Sequence, residues 1–243
     1  MFNNKRIFGF TGPTVFLDEI KSMIPDALDG IGLYITGDKE VDLDYNLSQI
    51  DALVLSGGND IFRGSLGEPI THGDGLSKFD IRRDRREKYL LEKCLESGKP
   101  ILGICRGFQV ICTHFGHNLM PHLFGDVVHS PGDLKINYEH GEFCHYVECL
   151  PEFEDKYFKG SEGVTSYHHQ GIYYSFKYKS LNGLDVVATA ITNSDSKKNV
   201  DVAEIVESKK YKIVACQFHA EADWEYGNIA SNKVLERFKS FLE

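Results

Sequence analysis

Three short stretches of the chain carry residue types that work together in acyl transfer. Gly103-Ile104-Cys105-Arg106-Gly107 sets a thiol between two glycines, each two positions away. Cys216-Gln217-Phe218-His219-Ala220-Glu221 sets an imidazole and a carboxylate two positions apart. Ser56-Gly57-Gly58 closes an apolar run, Ala52 to Leu55. Thiol attack on an acyl carbon needs a base for the proton and a group that orients the base. It also needs backbone N–H donors aimed at the oxyanion. The three stretches supply one of each.

Gly103-x-Cys105-x-Gly107 has the form of a nucleophile elbow with sulfur in place of oxygen. A buried structural cysteine is the usual fate of this residue. Here an apolar run precedes the cysteine and a helical apolar pattern, Phe108, Val110 and Ile111, follows it. That context favours a nucleophile on a tight strand-to-helix turn, where the field of the helix N-terminus favours a thiolate. Residues two apart on a strand share a side. His219 and Glu221 therefore reach one site if the strand before them stays extended, His219 as base and Glu221 as its orienter. The bland alternative is a surface histidine and a solvated glutamate, and His168 and His169 compete for the role of base. The oxyanion donors would be the N–H of Arg106, next after the nucleophile, and one from the glycine loop.

These residues need elements to carry them. Apolar runs at 7–10, 31–35, 51–55 and 101–104 read as strands, and 13–24, 80–97 and about 105–115 as helices, with Gly98 ending the second. Strands that are continuously apolar and alternate with helices predict a parallel sheet covered on both faces. Its nucleophile would sit at the carboxyl end of the strands, where open α/β folds bind ligands. Residues 134–150, 184–192, 202–206 and 211–218 read as strands with hairpin-like connections, and 228–242 as a closing helix. The fold class predicted is therefore α/β: three layers, a mostly parallel central sheet with helices on both faces and an antiparallel extension. The whole chain, 1–243, reads as one domain.

In this order the pieces resemble the class I glutamine amidotransferase-like superfamily, and more closely its γ-glutamyl hydrolase branch, peptidase C26. LVLSGGND (53–60) resembles the family's oxyanion strand and loop, and DIRRDRRE (80–87) its D-x-x-R-D-x-x-E stretch. KPILGICRGFQ (99–109) resembles the nucleophile segment nearly letter for letter. VTSYHHQGI (164–172), VDVAEIVE (200–207) and CQFHAE (216–221) resemble the V-N-S-x-H-H-Q, D-G-x-I-E-A-I-E and Q-W-H-P-E segments. The resemblance implies a flavodoxin-like amidotransferase fold and a triad of Cys105, His219 and Glu221. It implies an oxyanion hole from the N–H groups of Gly58 and Arg106. Substrate contacts would come from Gly57, Gln109, Tyr167, His168, His169 and Gln170. No metal or organic cofactor is implied. The chain departs from the pattern at Thr165, where the family has Asn, and at Ala220, where it has Pro. The short segment between Gly9 and Leu53 leaves the leaving amine open.

The chain has 243 residues, 42% hydrophobic and 26% charged, with a net charge of −9. That charge speaks against nucleic acid and anionic membrane as partners. No apolar run reaches the length of a membrane span, and MFNNKRIFGF lacks the apolar core of an export signal. The six cysteines show no CxxC spacing, so reduced thiols in a cytoplasm are expected. His114, His117 and His122 read as a loop rather than a metal site. His140 and His145, flanking Cys144, read as a polar strand rim. Arg82, Arg83, Arg85 and Arg86 alternate with acids and read as a solvated helix face, from which one arginine could reach the pocket. Tyr167, Tyr173, Tyr174 and Phe176 either line the acceptor side or pack.

The expected function is hydrolysis of a small γ-glutamyl amide to glutamate and a free amine. The alternative is a glutaminase subunit that delivers ammonia to a synthase partner, the one reading that calls for a protein partner. A binding protein with a dead site is disfavoured by the intact Cys-His-Glu set. A homodimer is neither required nor excluded.

Overall fold

A computed structural model describes residues 5–13, 17–62, 79–121, 123, 145–174, 180–192 and 200–243. The first half alternates strand and helix. It runs β1 (Arg6–Thr11), α1 (Leu17–Ala27), β2 (Gly30–Tyr34), α2 (Glu40–Gln49), β3 (Ala52–Leu55), α3 (Ile81–Ser97), β4 (Ile101–Ile104) and α4 (Arg106–His114). The second half is mostly strand: β5 (His145–Cys149), β6 (Ser161–Val164), β7 (Tyr173–Tyr174), β8 (Ser180–Leu181), β9 (Leu184–Thr192), β10 (Val200–Ser208) and β11 (Ile213–Cys216). Two helices close it, α5 (Ala220–Asp223) and α6 (Ile229–Lys239).

The strands form one sheet in the order β2-β1-β3-β4-β11-β10-β9-β5-β6, with β7 beside β10 and β8 beside β9. From β2 to β11 every pairing is parallel; from β11 to β6 every pairing is antiparallel. The expected parallel sheet with an antiparallel extension is what the chain builds. β3, β4 and β11, with sequences ALVL, ILGI and IVAC, are buried at every position. Strands sandwiched on both faces carry apolar residues without alternation. β5 instead reads HYVEC with buried and exposed residues alternating, as a strand with one covered face must.

Two apolar clusters cover the two faces. Ile20, Met23, Ile24, Val234 and Phe238, from α1 and α6, pack on one; Leu43, Leu90, Leu91, Val110 and Ile111, from α2, α3 and α4, pack on the other. α3 starts where Asp80 accepts from the N–H of Arg83 at 3.0 Å. It stops at Gly98, whose φ of 67° is the left-handed conformation that terminates helices. Of the segment expected as strand over 134–150, the described part is β5; residues 134–144 lie outside the described residues, as do His122, His140, Cys144 and Phe176.

Candidate active site

β4 ends at Ile104, α4 starts at Arg106, and Cys105 is the single residue between them. Its φ of 51° and ψ of −101° are a conformation that L residues avoid. The turn is held by the Cys105 N–H, which donates to the Cys216 carbonyl at 2.8 Å, and by the Gln109 N–H, which donates to the Cys105 carbonyl at 3.2 Å. The flanking glycines are there for space. A methyl on Gly103 would lie 2.6 Å from Ile111 Cδ1, and one on Gly107 would enter the Leu55 carbonyl. Only two residues without side chains let α4 turn back so closely over β3 and β4.

β11 delivers the base. His219 follows the strand, its N–H donating to the Thr165 carbonyl at 2.9 Å. Its Nδ1 lies 2.8 Å from Glu221 Oε1, and the Cys105 side chain is near enough to act on the imidazole electrostatically. Both side chains of the pair are nearly wholly buried. The extended chain expected through 216–221 does not persist. β11 ends at Cys216, and Glu221 sits in the first turn of the short helix α5. His219 and Glu221 meet because the backbone turns at His219 (φ −93°, ψ 78°), not because they alternate on a strand. Burial by itself would lower the His219 pKa. The charges of Glu221 and of a Cys105 thiolate, with the hydrogen bond to Glu221, outweigh it and hold that pKa well above the usual imidazole range. The site therefore favours the imidazolium form of His219.

The glycine loop stands against both. A methyl on Gly57 would lie 2.7 Å from His219 Cε1; one on Gly58, whose φ is 147°, would collide with the Arg83 guanidinium. Arg83 donates from Nη2 to the Ser56 carbonyl at 2.9 Å and from Nε to Glu87 Oε1 at 2.6 Å. Arg106 donates to Glu87 and to Asp84, Thr11 donates to Glu87 at 2.6 Å, and Asp84 accepts the Phe62 N–H at 3.2 Å. This corrects the reading of residues 80–87 as a solvated face. Arg82 and Arg85 are exposed, but Arg83, Asp84 and Glu87 are buried under the elbow. Burial lowers the pKa of Arg83 to about 10 and that of Arg106 to about 9, with the neighbouring acids opposing it. Both stay cationic at neutral pH. The cluster ties the glycine loop to the residue after the nucleophile, the two places expected to supply oxyanion donors.

The 165–170 segment forms the opposite wall. The Tyr167 ring stands edge-on to His219, 5.0 Å between centroids. His169 is part exposed and bonds Asp60 at 2.9 Å, which raises its pKa and links this wall to the glycine loop. Gln170 is buried; its Oε1 accepts the Ile61 N–H at 3.2 Å and its carbonyl accepts Gln109 Nε2 at 3.1 Å. Gln109 is itself buried, and Nε2 also reaches Gln217 Oε1 at 3.3 Å, so it braces the wall from beneath. His168 is buried, with Nε2 facing Glu204. The structure thus brings together Cys105, His219, Glu221, Gly57, Gly58, Arg106 and Tyr167, with His169 at the rim and Gln109, Gln170 and His168 behind. Of the three candidate bases, only His219 meets the thiol.

Asp223 went unnoticed in the sequence. Its carboxylate accepts from the Thr165 N–H at 2.8 Å and from the Thr165 hydroxyl at 2.6 Å. It locks the wall to α5 and so fixes His219, whose N–H the Thr165 carbonyl receives. The departure from Asn at position 165 was the available signal, since a threonine hydroxyl asks for a partner. His145, expected on a polar rim, is buried at the start of β5. His114 lies at the end of α4 against Phe115. Among the described residues neither it nor His117 joins a metal-ligating group. The five described cysteines are all unpaired in disulfides, and no described helix is long and apolar enough to cross a membrane.

A family model of peptidase C26 matches residues 19–221. The chain is 30% identical over 207 residues to the glutamine amidotransferase-like protein YvdE of Lactococcus lactis subsp. lactis (strain IL1403), covering 83% of this chain and 78% of that protein. It is 43% identical over 82 residues to the γ-glutamyl-CDP-amidate hydrolase of Campylobacter jejuni, a stretch of 34% of this chain and 36% of that one. In fold it resembles a glutamine amidotransferase from Thermotoga maritima, with a TM-score of 0.59 at 16% identity over 99% of both chains. The glutaminase domain of Trypanosoma brucei CTPS superposes at 0.57 and 14% identity, covering 97% of this chain and 94% of that one. With the family model spanning most of the chain and a relative matched along most of its length, the protein belongs to the peptidase C26 family of glutamine amidotransferase-like hydrolases.

Proposed function

We propose that the protein hydrolyses the γ-glutamyl amide bond of a small conjugate, releasing glutamate and a free amine through a γ-glutamyl thioester on Cys105. The observation that carries this is the buried imidazole of His219, held by Glu221 at Nδ1 and close enough to the strained elbow residue Cys105 for the two side chains to interact. The Cys105 thiolate attacks the γ-carbonyl carbon, and the carbonyl electrons move to oxygen. The N–H groups of Gly58 and Arg106 receive the oxyanion. As it collapses, the C–N bond breaks and the His219 imidazolium gives its proton to the leaving amine. Neutral His219 then takes a proton from water as the water attacks the thioester. Glutamate leaves, and the thiolate–imidazolium pair is restored. Glu221 holds the proton of His219 on Nδ1, leaving Nε2 for both transfers. Gly57, Tyr167 and His169 frame the glutamyl group, and no metal takes part in these steps. A small-molecule substrate, a cytoplasmic setting and no nucleic-acid or membrane partner complete the reading.

The local likeness to a γ-glutamyl-CDP-amidate hydrolase supports including nucleotide amidates among the substrates. The test is glutamate release by wild type and Cys105→Ala from glutamine, γ-glutamyl-γ-aminobutyrate, γ-glutamyl-putrescine, γ-glutamyl peptides and γ-glutamyl nucleotide amidates. Turnover of one or more of the conjugates, lost in the variant, is expected. Turnover of glutamine alone would move the assignment to a glutaminase subunit with a synthase partner, and glutamate release that survives Cys105→Ala would overturn both.

A further inference from the structure

Behind the wall that carries Tyr167, three side chains converge that the chemistry above does not use. His168 turns inward from the 165–170 segment, His145 opens β5, and Glu204 lies in the middle of β10. Their exposures are 3%, 8% and 0%. Glu204 Oε2 lies 3.4 Å from His145 Nε2, and Oε1 lies 3.9 Å from His168 Nε2. One ligand atom from each residue lies within 4.8 Å of the other two. The imidazole planes cross at 81°, with centroids 6.0 Å apart.

The hydrogen bonding fixes one of the rings. His168 Nδ1 lies 2.9 Å from the Gln170 carbonyl. A carbonyl only accepts, so Nδ1 carries the hydrogen, and in the neutral ring Nε2 is a lone pair. That lone pair faces a carboxylate. Neither oxygen of Glu204 accepts a hydrogen bond among the described residues, and a buried carboxylate is costly unless paired or coordinated. The separations are long for hydrogen bonds. N and O donors at tetrahedral bond lengths of about 2.0–2.1 Å stand about 3.3–3.4 Å apart, the separation of His145 Nε2 from Glu204, while His168 Nε2 stands farther, at 3.9 Å, from the acid's other oxygen. The bond from His168 Nδ1 to a backbone carbonyl is also the outer contact by which metal-bound imidazoles are oriented.

We propose that His145, His168 and Glu204 form a buried site for one divalent cation of the zinc class. Two imidazoles and a carboxylate suit zinc, cobalt or nickel, whereas magnesium and calcium take oxygen ligands. The burial of all three keeps substrate away, so the ion is structural. It joins β5, the 165–170 segment and β10, and so steadies the wall that carries Tyr167 and His169. The site does not depend on the reaction proposed above.

The test uses the full chain stripped with a chelator and titrated with Co(II) and with Zn(II). The wild type is expected to bind one equivalent, to show visible cobalt bands without thiolate charge transfer, and to gain several degrees in Tm with zinc. Glu204→Gln and His145→Ala should bind about 100-fold more weakly or worse, while His114→Ala, altered on the exposed end of α4, should bind as wild type. The wild-type titration decides even if a ligand variant fails to fold. Well under one equivalent bound by wild type, an unmoved Tm, a thiolate-ligated cobalt spectrum, or a folded Glu204→Gln that binds like wild type would overturn the site. A proton between the rings and Glu204 would then remain as the bridge.

Discussion

Two buried groups of charge flank the candidate active site, and they are built differently. Under the elbow, Arg83 and Arg106 meet Asp84 and Glu87, and Thr11, Ser56 and the Phe62 N–H take further hydrogen-bonding positions. The count of charge is balanced, and each acid is engaged. Behind the opposite wall, Glu204 stands between two imidazoles at distances too long for good hydrogen bonds. The first group is complete with protein atoms alone. In the second, neither oxygen of the acid accepts a hydrogen bond among the described residues. A buried ion cluster that closes on itself can hold a strained turn in place; one left open is where an ion or a proton belongs.

Breaking the closed group should have the largest effect. Arg106→Met leaves Asp84 with the Phe62 N–H and Glu87 with Arg83 and Thr11, one cation against two buried acids; breaking such a buried pair costs about 3–5 kcal/mol, read as a fall in the urea midpoint at constant slope. Equal stability of variant and wild type would show that the cluster does not support the elbow. Gly58→Ala comes next. It collides with the Arg83 guanidinium and forces a left-handed φ on a residue with a side chain. It should lower kcat about 100- to 1,000-fold, the typical loss of one oxyanion donor, with a smaller change in KM. An unchanged kcat would remove the glycine loop from the oxyanion hole.

The open group gives a smaller and conditional effect. In chelator, Glu204→Gln keeps the side-chain shape and should change stability by less than about 1 kcal/mol; with zinc, the wild type alone should gain. A large loss in chelator would mean that Glu204 is already fully paired by protons. The smallest effect belongs to Asp60→Asn, which frees the half-exposed His169. An NMR titration should show the His169 pKa falling back to the usual imidazole range, with under about 1 kcal/mol of stability change.

The pH dependence follows from His219. Its folded pKa stands well above the unfolded value of about 6.5. The stability it contributes is therefore fully present below about pH 6.5 and is lost as pH rises through the folded pKa. The stability gap between wild type and Glu221→Gln should narrow on going from pH 6 to alkaline pH.

Much of this was legible in the residues. The elbow was readable because Gly103 and Gly107 have no function except to leave room, and because apolar runs mark β3 and β4. The parallel-to-antiparallel change was readable because the strand runs of the second half follow one another through hairpin-like connections instead of helices. The buried cluster at residues 80–87 was not, because arginines and acids at helical spacing look the same in solvent as under an elbow. Only the partner, Arg106, some twenty residues on, decides which face is inside. The turn at His219 was hidden because spacing of two suits a strand and equally a strand end that enters a helix. The group of His145, His168 and Glu204 comes from three separate segments that only the sheet order brings together.

The most direct test of the central claim is covalent trapping. The chain would be treated with a glutamine-like electrophile and mapped by mass spectrometry, comparing wild type, Cys105→Ala and His219→Ala. A single adduct on Cys105, slowed strongly in His219→Ala and absent in Cys105→Ala, is the predicted result. Adducts spread over the other cysteines, or a Cys105 rate indifferent to His219, would contradict it.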